Sequence, residues 1–256
     1  MKKMIKAVVF DLDNTLYNFD KHHQMVLRPL AQMAHSKYGV NPEEFTKAYY
    51  DSMDEMAKNS PFLYSGLHSR AVRFTDICSR MGIPVIPNAA DLAKMYWDIL
   101  LMGLVPEPHV IELMHSLRDQ QIKIGLGTNM TAYIQYRKLE RIGIRDEIEY
   151  FITSEESAYE KPQDGFFQYV IKKLGVDANE ILFIGDDMVN DILPALKNGM
   201  QAMWYTRCLS PEKIEAAKKL AAENKYQILE YASKLPNVGD YEKSSILHIN
   251  DYWTIL

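Results

Sequence analysis

The chain has 256 residues, 47% of them hydrophobic and 25% charged, which suits a globular protein of one large domain or two modest ones. With 29 basic against 34 acidic residues the net charge is −5, so electrostatics give no reason to expect a nucleic-acid polymer or an anionic membrane as partner. Cys78 and Cys208 stand far apart with no CxxC pair, no apolar run reaches the roughly 18 residues of a membrane span, and Lys6, Asp11 and Asp13 break the N-terminal apolar stretch before it resembles a signal peptide. A soluble cytoplasmic protein, monomer or homodimer, is the expectation.

Ile5–Phe10 is a short, nearly continuous apolar run, as expected of a strand buried on both faces of a parallel sheet. It ends in Asp11-Leu12-Asp13-Asn14-Thr15. Residues 17–97 then hold four helix-like stretches, Gln24–Tyr38, Pro42–Lys58, His68–Met81 and Ala89–Leu101. Gly39-Val40-Asn41-Pro42 punctuates the first pair as a glycine stop followed by an N-cap. The span is too long for one crossover and predicts an all-helical insert mounted over the rest. Pro106 and Pro108 mark the return.

A helix over His109–Asp119 leads to a second strand, Ile122–Leu126, ending at Gly127-Thr128-Asn129. A helix over Ala132–Ile142 leads to a weaker strand, Tyr150–Thr153, ending at Ser154-Glu155-Glu156. A helix over Gly165–Leu174 precedes the strand Ile181–Ile184, which ends at Gly185-Asp186-Asp187. Past Leu235, a loop with Pro236, Asn237 and Gly239 leads to a terminal strand, Ile246–Ile249, and residues 236–256 form an extension to which no function attaches. Alternating strands and helices predict an α/β fold with a doubly wound parallel sheet, built from 1–16 and 98–256 and interrupted by the helical insert at 17–97. In such a sheet the ligand site lies beyond the carboxyl ends of the strands, where all these polar clusters fall.

Asp11 and Asp13 point to one side if strand geometry persists, and paired carboxylates disfavour each other's charge unless a cation intervenes. A lone Asp-x-Asp is more often a solvated loop or a helix cap. A calcium loop is excluded because its glycine at the sixth position is absent and a strand, not a helix, precedes it. Asp186, Asp187 and Asp191 follow another strand, and Asp191 falls in the first turn of a helix, where the dipole favours acids anyway. Capping does not explain why two separate strands both end in acid pairs. Hard carboxylate oxygens converging on one sheet edge suit Mg²⁺. Thr128 offers a strand-end hydroxyl, either for capping the next helix or for an anion.

Four motifs in order, Asp11-Leu-Asp13-Asn-Thr15, Thr128-Asn129, Lys161-Pro162 and Gly185-Asp186-Asp187-Met-Val-Asn190-Asp191, resemble the haloacid-dehalogenase-like superfamily. The resemblance covers about residues 5–207 and implies a Rossmann-like core with a helical cap after the first strand. It implies a Mg²⁺-dependent phosphomonoester hydrolase in which Asp11 is the nucleophile and forms an aspartyl-phosphate. Asp11, Asp186 and the Asp13 backbone carbonyl would hold the ion, with Asp191 a further ligand or a support for its waters. Asp13 would protonate the leaving group and then deprotonate water. Thr128 and the Asn129 backbone would bind phosphoryl oxygens, and Lys161 would stabilise transition-state charge. Asp187 stands where the family often has a small residue.

Substrate choice then falls to the cap. Tyr17, Phe19, His22 and His23 are candidates to line the entrance, and Phe62, Leu63, Tyr64 and Arg70 to form a substrate-facing loop, against the plainer reading of aromatic packing. The partner is a small phosphorylated metabolite. Asp11 to Tyr17 with a helical cap is similar to the pyrimidine 5′-nucleotidase branch, which favours a nucleoside monophosphate, with a sugar phosphate next. A phosphomutase and a non-catalytic phosphometabolite-binding protein stay open. A dehalogenase is disfavoured because Asp13 supplies an acid it would not need, and Gly125-Leu-Gly127 lacks the third glycine of a dinucleotide fingerprint.

Overall fold

Ala7–Phe10 (β1) is fully buried because it is an interior strand, with Lys123–Thr128 (β2) parallel to it on one side and Ile181–Gly185 (β4) on the other. A computed structural model describes residues 5–60 and 63–223, together with the backbone of strands Ile228–Glu230 (β6) and Ile246–Ile249 (β7). Tyr150–Thr153 (β3) extends the sheet beyond β2, and Gln201–Tyr205 (β5) extends it beyond β4. The order is β3-β2-β1-β4-β5-β7-β6, with every pairing parallel. The doubly wound expectation therefore holds. β5 escapes a reading based on β-branched apolar runs, since its Ala202-Met203-Trp204-Tyr205 run has none, although its Trp and Tyr favour strands.

Alternate residues of each strand face opposite layers, as the pleat requires. Val8, Phe10, Ile124, Leu126 and Ile184 pack against Val110–Asp119 (α5), Ala132–Ile142 (α6) and the helices of the insert. Ala7, Val9, Ile152, Phe183 and Trp204 pack instead against Asp164–Leu174 (α8), Leu193–Lys197 (α9) and Pro211–Glu223 (α10), while Ser154–Ser157 (α7) is a single turn after β3.

The insert comprises Phe19–Tyr38 (α1), Pro42–Asn59 (α2), Arg70–Arg80 (α3) and Val85–Gly103 (α4). A 3₁₀ turn over Ser65–His68 precedes α3. Asn18 and Asn41 cap α1 and α2 with their side chains, and Gly39 at φ +72° ends α1 in the left-handed conformation. The helices pack in sequence, with α4 closing back onto α1, around Phe45, Tyr49, Phe74 and Tyr96. α4 continues without interruption past residue 97 to Gly103, so the boundary drawn at 97 falls inside a helix. The apolar run Tyr96 to Leu101 carries that helix on, and Pro106 marks the chain's return only later. Among the described residues, no helix is long and apolar enough to cross a membrane.

Candidate active site

β1 delivers Asp11 to the carboxyl edge of the sheet, where its N–H donates to the Ile184 carbonyl at 2.8 Å. The chain then turns through Asn14, whose φ of +62° is left-handed, a conformation that Asn tolerates better than most residues. The Asn14 side-chain carbonyl accepts the Asp20 N–H at 3.0 Å and closes the turn. The two aspartates of the motif consequently part company. Asp11 joins an acid cluster, and Asp13 is held by partners from elsewhere.

Carboxylate oxygens of Asp11, Asp186 and Asp191 lie within 4.8 Å of one another. Asp186 leaves the end of β4, and Asp191 sits on a π-helical turn, Met188–Ile192. Gly185 makes the approach possible, since a Cβ there would stand 2.3 Å from an oxygen of Asp191. Lys161, nearly completely buried, places its ammonium 2.6 Å from Asp11 and 2.6 Å from Asp191. Asn129 aims it, accepting the Lys161 N–H at 2.8 Å and donating its side-chain amide to the Lys161 carbonyl at 3.0 Å.

Burial raises the pKa of Asp11 against the opposing pull of Lys161. Asp186 is pushed well above the usual carboxylate range by burial and by the charges of Asp11, Asp191 and Asp187. Asp191 rises to about 7, again chiefly through burial. Burial pulls Lys161 down, yet Asp11 and Asp191 together hold it above the ordinary ammonium value.

With all three carboxylates ionised, the one ammonium would leave this buried cluster two positive charges short of neutrality, which is why burial disfavours their charge in the absence of a cation. Among the described residues no hydrogen-bond donor reaches the Asp186 carboxylate. Hard, clustered, charge-deficient oxygens of this kind fit a divalent cation such as Mg²⁺. Asp187 instead caps the π-turn, accepting the Val189 and Asn190 N–H groups at 2.8 and 3.0 Å and the Asn190 amide at 2.7 Å.

The Thr128 hydroxyl accepts from the Gln135 amide at 2.7 Å. It does not cap α6; the Ala132 N–H at the start of that helix goes to Glu155 at 2.7 Å, and the Met130 N–H goes to the Ser154 hydroxyl at 2.9 Å. Both carboxylate oxygens of Asp13 accept from the Lys138 ammonium, at 2.7 and 2.8 Å, and one accepts a further bond from the Tyr17 hydroxyl. Gln135 and Lys138 are both fully buried and escape the sequence motifs. A signal was available: they occupy the positions of the α6 stripe that continues through Leu139 and Ile142, where apolar residues are the rule.

A cavity of about 290 Å³ opens over the cluster, walled by Asp11, Asp13, Thr128, Asn129, Lys161, Asp186 and Asp191 from the sheet side. From the insert come Phe19, Met53, His68, Arg70 and Arg73. Of the expected specificity residues, Arg70 is in the wall. Tyr17 is not: it is fully buried, with its hydroxyl on Asp13, because the turn at Asn14 directs it inward. Tyr64 is 45% exposed and outside the wall, and Phe62 lies outside the described residues. His68 also contacts the buried Glu160, linking the insert to the Lys161 loop.

A doubly wound parallel sheet, with acids and a buried lysine gathered at its carboxyl edge beneath a helical roof, defines an α/β enzyme whose chemistry resides at the strand ends. Residues 8–205 match the model of the haloacid dehalogenase-like hydrolase family, and the chain belongs to that family. It is 31% identical to a ribulose-1,5-bisphosphate 5-phosphatase of Halopiger xanaduensis, over 86% of this chain and 92% of the relative. It is 32% identical to a glyceraldehyde 3-phosphate phosphatase of Methanopyrus kandleri, over 77% of this chain and 82% of the relative. Identity to the pyrimidine 5′-nucleotidase YjjG of Escherichia coli is 27%, over 77% and 84%. The crystal structure of the HAD-hydrolase YfnB of Bacillus subtilis bound to magnesium superposes with a TM-score of 0.60 at 21% identity, covering 82% of this chain and 90% of that one.

Proposed function

We propose that this hydrolase is a Mg²⁺-dependent phosphatase that cleaves small phosphorylated metabolites through an aspartyl-phosphate on Asp11. The observation that carries the reading is the Lys161 ammonium, 2.6 Å from both Asp11 and Asp191 beside the Asp186 carboxylate, in a pocket at the strand ends. A carboxylate needs no base to become a nucleophile, and its difficulty is repulsion from the phosphate dianion. Lys161 offsets that repulsion and favours the ionised form of Asp11 against the burial that raises its pKa.

An Asp11 oxygen attacks phosphorus, the ester P–O bond breaks, and Asp13, entering this step in its acid form, gives its proton to the leaving alkoxide. Water then attacks the phosphorus, passing a proton back to Asp13, and the bond from phosphorus to Asp11 breaks to release inorganic phosphate. Thr128 and the Asn129 backbone N–H bind phosphoryl oxygens. Asp11, Asp186, Asp191 and the Asp13 carbonyl would hold Mg²⁺, which when bound supplies Lewis-acid charge at the phosphoryl group. The magnesium-bound relative supports this choice of ion. The helical insert is the cap that selects substrate, over a core of 1–16 and the chain after the insert. The reading carries with it a cytoplasmic site of action.

The relatives at 31 and 32% identity are phosphatases of ribulose 1,5-bisphosphate and glyceraldehyde 3-phosphate, and the nucleotidase stands at 27%. We therefore favour a sugar phosphate over a nucleoside monophosphate. Phosphate release from sugar phosphates, nucleoside monophosphates and phosphoglycolate, with Mg²⁺ or EDTA, is the test. Release should need Mg²⁺ and vanish in Asp11→Asn; turnover retained by that variant would overturn the nucleophile. An isomerised sugar phosphate in place of free phosphate would make the protein a mutase, and inertness towards every ester a binding protein.

A further inference from the structure

Arg70 and Arg73 stand three residues apart at the start of α3, 7% and 3% exposed, in the wall of the cavity that holds Asp11 and Lys161. Arg70 donates to the His68 carbonyl at 2.9 Å and the Tyr96 hydroxyl at 3.2 Å, with its guanidinium over the Tyr96 and Trp97 rings. Arg73 donates to the Tyr49 hydroxyl at 2.9 Å and the Leu67 carbonyl at 3.4 Å, and lies over the Tyr49 ring. Every one of these partners is neutral. Among the described residues no carboxylate pairs with either arginine, and the Nε of each is buried without a partner.

A guanidinium is always charged, and burying two of them side by side is unfavourable unless a counter-anion accompanies them. Among the described residues nothing nearby supplies it. His23, packed against Tyr49 and Tyr96, carries no negative charge, and the Asp13 carboxylate is already engaged by Lys138 and Tyr17. Cations at a helix N-terminus also run against the helix dipole, whereas an anion bound there is favoured by it. The cavity thus has two poles: an acid floor two positive charges short, and an arginine wall two negative charges short.

We propose that Arg70 and Arg73 bind a second phosphoryl group of the substrate, which makes the preferred substrate class a small metabolite phosphorylated at both ends. This rests on the phosphatase reading of the same site. Two guanidinium forks match a phosphate dianion in both charge and planar donor geometry, where a carboxylate would neutralise only one. At about 290 Å³ the cavity is at the small end for ligand pockets, so the carbon chain between the two phosphates is short.

The test uses the full chain with Mg²⁺ and compares kcat/KM for ribose 1,5-bisphosphate, ribose 5-phosphate and 3-phosphoglycerate. The bisphosphate should exceed ribose 5-phosphate at least tenfold, and in Arg73→Gln this ratio should fall towards one, with Arg73→Lys between. The wild-type ratio stands as a test even where a variant does not fold. Equal or better use of ribose 5-phosphate overturns the proposal, as does a ratio that Arg73→Gln leaves unchanged; preference for 3-phosphoglycerate assigns the arginines to a carboxylate and overturns the phosphate. Release from none of the three is a failure of the phosphatase reading instead. Calorimetry with Asp11→Asn then decides the anion site: ribose 1,5-bisphosphate binding tenfold tighter than ribose 5-phosphate supports it, and equal binding overturns it.

Discussion

Lys138 grips both carboxylate oxygens of Asp13, at 2.7 and 2.8 Å, from a position that is completely buried. Burial lowers the pKa of Lys138 against the attraction of Asp13, while burial and the Asp13 charge push the Tyr17 phenol far up, so Tyr17 remains a donor. The two side chains fix where the Asp13 carboxyl stands. Lys138→Met leaves one donor and a freer carboxyl. The expected result is a kcat for phosphate release lower by roughly 10- to 100-fold, within what a positioned acid–base group supplies, with a smaller change in KM. Steady-state kinetics check it, and an unchanged kcat would reduce the clamp to a packing role.

The acid cluster trades stability for metal binding. Burial and the neighbouring acids already disfavour the charge on Asp186, so Asp186→Asn removes repulsion from the metal-free protein. Its Tm in EDTA should rise by a few degrees, about what 1 kcal/mol gives in a chain of this size. The rise in Tm that Mg²⁺ gives the wild type should shrink or vanish in the variant. Thermal melts in EDTA and in Mg²⁺ measure both, and a variant that melts lower in EDTA contradicts the account.

Lys161 holds the opposite charge in the same pocket. Lys161→Met strips Asp11 and Asp191 of the ammonium they share and leaves buried acids uncompensated. Denaturant unfolding in EDTA at neutral pH should show a loss of roughly 3–5 kcal/mol. Phosphate release should fall by at least about 10²-fold, since charge stabilisation at the phosphoryl group goes with it. A variant as stable as the wild type in EDTA would show that the ion pair adds nothing to the fold.

Burial, with Arg70 and Arg73 alongside, lowers His23 to about 4 from its ordinary 6.5. Between those values the unfolded chain binds the extra proton and the folded one does not, so stability rises with pH across that window. The contribution is complete above about pH 6.5 and is lost as the pH falls towards 4. It amounts to at most about 3 kcal/mol, less whatever solvent screens at the part-exposed ring. His23→Phe, which keeps the stack on Phe19, should flatten this slope in denaturant titrations between pH 4.5 and 7.5. An identical slope in the variant would assign the acid sensitivity elsewhere.

The strand ends were legible because each is a local pattern: a buried apolar run followed at once by Asp11, Thr128 or Asp186. Motif order brought in Lys161, which alone reads as one more surface lysine. Arg70 was legible only as a residue between two cap helices, and Arg73 not at all, since an arginine on a helix looks solvent-facing until its neighbours are known. Tyr17 misled because an aromatic just after a motif suggests an entrance, whereas the left-handed turn at Asn14 sends it inward to Asp13.

The sequence by itself thus determined the α/β class, the helical insert and the acids and lysine of the candidate site, since periodicity and strand-end chemistry are written in neighbouring residues. Only the tertiary structure decided which charges meet. Asp13 and Lys138 are 125 residues apart, a separation that no spacing rule bridges. Burial then sets what such a meeting means: the same arginine is a solvated charge on a surface and, at 3% exposure without a carboxylate, a group that calls for an anion.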